Sequence, residues 1–182
     1  ETKFVTHRIM GAGHPRLDFE LDTFTATQPA HYEIDKDYYE RKVVSNGIQT
    51  WAIGQALALE KRFDALLKMG ETGGIFPELV LFDCQACHHS LMTQKWQPRA
   101  GTGLGPGVVR FDDSNLLMLQ IIIESIDEER GKALQRKTIQ LHKASTANSK
   151  EFYAVAESLR DEAKKFEEIK GNLTFKSLEH GL

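Results

Sequence analysis

Leu81-Phe82-Asp83-Cys84-Gln85-Ala86-Cys87-His88-His89-Ser90-Leu91-Met92 is the stretch around which the rest of the 182-residue chain is organised. It holds both of the chain's cysteines, spaced C-x-x-C and followed at once by histidine. That pattern is the signature of covalent c-type haem attachment. Two thiols on one helical turn reach the two vinyl groups of a single porphyrin, and the next residue sets an imidazole under the iron. Two other chemistries use paired cysteines. A redox dithiol normally heads a helix after a strand in a thioredoxin-like pattern, which is missing here. A zinc site needs a third and fourth ligand at finger-like spacing, and the adjacent His88 and His89 make an awkward pair for one tetrahedral ion. The expectation is one covalently bound haem c per chain, joined at Cys84 and Cys87, with His88 as an iron ligand.

Composition narrows the setting without adding chemistry. The net charge is −3 and the pI about 6.2. Lys and Arg are scattered and form no stripe interleaved with aromatics, so no nucleic acid is expected as partner. The longest strongly apolar run, residues 116 to 123, falls far short of the ~20 residues a bilayer span requires, so no transmembrane segment is expected. No signal peptide opens the sequence. Covalent haem is attached outside the bacterial cytoplasmic membrane, so the expected location is periplasmic or otherwise extracytoplasmic, and Glu1 is read as the start of a processed or partial chain.

Residues 1 to 36 carry Gly11, Gly13, Pro15 and Pro29 and no sustained period. They read as an irregular N-terminal arm with one short turn near residues 17 to 25, and they contain His7, His14 and His31. Residues 37 to 182 read as the helical, haem-binding domain. In residues 37 to 70, Tyr38, Ile48, Trp51, Gln55, Leu59, Phe63, Leu66 and Leu67 recur at helical steps, with a break or kink expected near Ser45-Asn46-Gly47. Trp51 and Phe63 are either core aromatics or faces turned to a porphyrin. Pro77 and Glu78 suit the start of a helix over residues 76 to 92 that carries the cysteine motif. Residues 93 to 112 are a Gly- and Pro-rich loop, expected to fold over a haem edge with Trp96 against the ring and Lys95, Arg99 or Arg110 available to the propionates. Asp112-Asp113-Ser114 signals a helix start. Leu116, Leu119, Ile123, Ile126, Leu134 and Leu141 continue as a stripe through about Ala144, with residues 127 to 137 as a solvated charged face. A last helix is expected over residues 149 to 170. The class is all-α, built of several amphipathic helices with long irregular segments.

Two segments, residues 4 to 24 and residues 83 to 91, taken with Trp96 and Gly105-Pro106-Gly107, resemble a family of bacterial multihaem c-type cytochromes related to the tetrahaem electron carriers of the nitrifier type. The first segment, with Gly13-His14-Pro15-Arg16-Leu17 at its centre, is the more specific, since any cytochrome c shares the second. The resemblance implies that this chain is a C-terminal piece of a longer cytochrome, or a member with fewer haems. It also implies that His14 is an axial haem ligand, with His7 as the second candidate. His31, His142, Met10 and Met92 are the remaining rivals. His89 cannot serve the iron that His88 holds, because neighbouring side chains do not reach opposite faces of one macrocycle.

Three functions are compatible with these residues. The first is single-electron transfer in a periplasmic respiratory or nitrogen/sulfur-type redox chain, with redox proteins such as other cytochromes or a respiratory complex as partners, in a homo- or hetero-oligomer. Two imidazoles then fill the iron and favour a lower potential than His/Met. The alternative is a haem-based enzyme or gas sensor with an open distal site. A third is a helical scaffold stapled by its haem.

Overall fold

The computed structural model describes residues 5–16, 20–42, 47–71, 78–90, 92, 102, 104–105, 108–147 and 149–168. Among these the chain is all-α, with no strand. Three short helices come first: α1 (His7–Gly11), α2 (Leu21–Thr27) and α3 (Lys36–Arg41). Four longer ones follow: α4 (Gly47–Glu71), α5 (Ser114–Glu124), α6 (Glu128–Ala147) and α7 (Ser149–Lys164), the last continued by a 3-10 turn at Lys165–Glu168. Helix α4 packs on α5 and α7, and α6 packs on the same two, which closes a four-helix bundle.

The buried face of α4 is Ala52, Ala56, Leu59, Phe63 and Leu66, a heptad-like row that meets Leu116, Leu119, Ile122 and Ile123 of α5 and Phe152, Val155, Ala156 and Leu159 of α7 in one core. The large residues expected on this stripe, Trp51 and Gln55, are only half-buried, and the alanines beside them are the ones enclosed. Small residues let helix axes approach closely, and the row of large side chains is displaced to the edge of the seam. There Trp51 borders a cleft of about 460 Å³ between α2 and α4. Phe63 is fully enclosed and stacks on Phe111 at 5.5 Å, so it is a core aromatic.

The stripe expected to run unbroken through residues 112 to 144 is two helices. Backbone N–H groups of Ile126 and Asp127 both turn back to the Ile123 carbonyl, and the Asp127 carboxylate then caps α6 by accepting from the Arg130 N–H at 3.0 Å. Asp127-Glu128-Glu129 is exposed, as expected of the solvated charged face, and within it Asp127 is the cap and Glu128 and Glu129 the acidic first turn at the positive end of α6. Gly131 makes the tight crossing possible. A Cβ there would lie 2.5 Å from the Glu124 Cβ and 2.7 Å from its Cα.

The helix expected over residues 76 to 92 does not form. In its place are two 3-10 turns, Leu79–Leu81 and Cys84–Ala86, with Phe82 extended between them and bridged antiparallel to Phe111. Phe82 and Phe111 are buried edge-to-face at 6.2 Å, and Phe111 meets Phe152 of α7 in the same way. Burying two aromatics in the bundle is worth more than continuing a short helix whose backbone bonds water would otherwise supply. The arm is likewise more ordered than an irregular segment, since α1 and α2 are both formed. Residues 17 to 19, which fall in the expected turn at 17 to 25, lie outside the described residues.

Candidate functional site

The Cys84 turn is fixed from both sides by its neighbours in sequence. Asp83 accepts from the Gln85 N–H at 2.9 Å and so caps the turn, while its own N–H donates to the Arg110 carbonyl at 2.7 Å and its carboxylate pairs with the Arg110 guanidinium. On the other side of the Phe82–Phe111 bridge the Asp112 N–H donates to the Leu81 carbonyl at 3.0 Å. The turn closes when the His88 N–H donates to the Cys84 carbonyl at 2.7 Å and the Cys87 N–H to the same oxygen at 3.2 Å. Residues 84 to 88 are therefore a single turn mounted on the bundle through Phe82. Both cysteines are free thiols and exposed, as is His88. His89 is half-buried, with its Nδ1 enclosed and, among the described residues, without a hydrogen-bond partner.

The arm lies against this turn. Thr6 caps α1 through its hydroxyl, which accepts from the Ile9 N–H, and the His7 N–H donates to Glu78 Oε1 at 3.1 Å. Further along, Arg16 donates to the Val80 carbonyl at 3.2 Å and to Asp112 Oδ2 at 3.4 Å, and Met10 packs on the edge of the core. These tethers bring the His7 ring to the His88 ring, with centroids 6.2 Å apart and planes inclined by 31°. His14 lies past the other end of α1, after Gly13 turns the chain at φ +98°. It is exposed, and among the described residues its imidazole forms no hydrogen bond, ion pair or ring contact.

Asp112 is the hub. Besides Arg16 it receives Arg62 of α4, whose Nη1 lies 2.8 Å from both the Asp112 carbonyl and its carboxylate. Burial alone would raise the Asp112 carboxyl. The Arg62 charge, the hydrogen bonds from Ser114 and the Arg16 charge outweigh it and hold the group below its ordinary value.

The other expected site residues fall elsewhere. Trp96 and Arg99, with Lys95, lie outside the described residues, so the expected contact of the loop with a haem edge does too. Arg110 is half-buried and paired with Asp83. His31 is exposed, edge-on to Tyr32. Met92 is exposed. His142 is fully buried on α6, its Nε2 2.8 Å from Asp113 Oδ2 at the head of α5, with Nδ1 unpartnered among the described residues. Its position in the core removes it from the candidate ligands.

The exposed donors of this region are thus the two thiols of one turn and two imidazoles, His88 and His7, from segments far apart in sequence, the two rings 6.2 Å apart. Soft thiols suit covalent addition or a soft metal, and imidazole suits iron, copper or zinc. Among the described residues no group of three or more His, Cys, Asp or Glu side chains converges as a metal cage. None of them belongs to a helix long and apolar enough to cross a membrane. No family model matches the chain, and no curated protein or solved structure matches it.

Proposed function

We propose that the chain is a c-type cytochrome that passes single electrons through one haem c, attached by thioethers at Cys84 and Cys87 and ligated by His88, in an extracytoplasmic redox chain. The observation that carries this reading is the exposed turn closed by Cys84 O···H–N His88, which presents two free thiols and an imidazole at one place. The resemblance of residues 4 to 24 and 83 to 91 to multihaem cytochromes supports it from the sequence side. When bound, the haem supplies a one-electron couple at iron.

The protein's contribution follows from its own residues. Cys84 and Cys87 fix the ring to a turn that Asp83, Arg110 and the Phe82–Phe111 bridge hold against the bundle, so the cofactor's position follows the rigid helices rather than the mobile end of a side chain. A haem held at this exposed turn would be open to a redox protein, which is what electron transfer between proteins requires. On this reading the partners are other cytochromes or a respiratory complex.

Carbon monoxide binding to the reduced, haem-loaded chain tests the assignment. A carrier with both axial positions filled binds it slowly or not at all. Fast, stoichiometric binding rejects the carrier and favours an enzyme or gas sensor with an open iron.

A further inference from the structure

The geometry points to His7, and not His14, as the residue that faces His88 across the iron and closes the second axial position. This rests on the proposed haem at Cys84 and Cys87 and adds its sixth ligand.

A metal to imidazole-nitrogen bond is about 2 Å long, and the ring centre lies about 1 Å beyond that nitrogen. Two imidazoles opposed through one metal ion therefore have centres about 6 Å apart. The His7 and His88 rings stand 6.2 Å apart. They are not hydrogen-bonded to each other among the described residues, and a 31° inclination is neither a stacked nor an edge-on pair. Both rings are exposed, so burying apolar surface does not account for the approach.

The approach is held without the rings. The Thr6 cap sets the first turn of α1, the His7 N–H is tied to Glu78, and Arg16 ties the far end of the arm to Val80 and Asp112. Glu78 and Val80 belong to the segment that leads directly into the cysteine turn. Two imidazoles on separately anchored backbones, spaced for a common metal ion, are a preorganised axial pair. His14 lies between the same tethers but beyond the Gly13 turn, at the opposite end of α1, and among the described residues no hydrogen bond, ion pair or ring contact joins its imidazole to the cysteine turn.

The test uses the full chain matured with haem outside the cytoplasm, and reads the denatured mass, the ferric spin state and the midpoint potential. The wild type is expected to carry one haem and to be six-coordinate and low-spin. His7→Ala should keep the haem mass, become high-spin, and return to low-spin on adding free imidazole, a rescue that a purely structural role for His7 does not give. His7→Met should stay low-spin with an upward shift in potential, since a thioether ligand favours the ferrous state. It also serves as the readout if the alanine variant does not accumulate. His14→Ala should leave the spectrum unchanged. A His7→Ala spectrum that stays low-spin, a His7→Met potential that does not move, a high-spin wild type, or a high-spin His14→Ala overturns the assignment while the haem mass keeps the cytochrome reading intact. A wild-type mass without haem instead overturns the cytochrome reading, and this assignment falls with it.

Discussion

The four-helix bundle and the strip formed by the arm and the Cys84 turn are held together by different physics. In the bundle, α4 to α7 enclose one continuous apolar core. In the strip, neither α1 nor the Cys84–Ala86 turn buries a residue, and the chain is located by a few directional bonds: Thr6 to Ile9, His7 to Glu78, Arg16 to Val80 and Asp112, Asp83 to Arg110. Burial gives the bundle its stability. Directional bonds give the strip position but little energy, because each is worth only about 1 kcal/mol net. A segment built this way is placed by its scaffold while adding little stability of its own.

The sharpest way to break this division is at the residue both regions share. Phe111 is fully enclosed, stacks on Phe63, and bridges to Phe82 beside the cysteines. Phe111→Ala should cost about 3–5 kcal/mol in denaturant unfolding and should loosen the Cys84 turn, seen as faster amide exchange at Asp83. A loss below about 1 kcal/mol would mean that the turn is not mounted on the core as described.

Within the bundle, Asp113→Ala strands the buried imidazole of His142, and the expected cost is about 1–3 kcal/mol with no change in the site's spectrum. In the strip the effect is smaller. Arg16→Ala should cost about 1 kcal/mol or less and free the arm, measured as proteolytic cleavage ahead of α2 while the bundle melts normally.

Acid should do the same by another route. The Asp112 carboxyl is held below its ordinary value of 3.8, so its contribution is fully present above that pH and is lost as pH falls through the lower folded value. Stability near pH 3 should therefore depend on Asp112, and Asp112→Asn should flatten that part of the profile.

The same division explains what could be read from the amino acids alone. Helical periodicity located the long helices and most of the core, since burial imprints a stripe. It misses the roles of Ala52 and Ala56, whose small side chains carry little weight in such a stripe; Asp127 to Glu129 are exposed as their charge indicates, and only the cap that Asp127 adds at the head of α6 goes unread. The residues 76 to 92 were misjudged because a short apolar run does not distinguish a helix from an extended segment; pairing of Phe82 with distant Phe111 decided it. The cysteine spacing is legible in the sequence, and the structure adds that both thiols are exposed on one turn. The partner of His88 is not legible, because nothing local to His7 or His14 records which of them Glu78 and Arg16 bring to the turn. The buried His142–Asp113 pair joins residues 29 apart in sequence, and no local spacing records it.

Whether the Cys84 turn carries a covalent haem is decided by the mass of the denatured full chain after maturation outside the cytoplasm. The expected mass is that of the 20.6 kDa polypeptide plus one haem, reduced to the bare polypeptide when Cys84 and Cys87 are both replaced by serine. A wild-type mass equal to the bare chain, obtained where a control cytochrome c is fully matured, contradicts it.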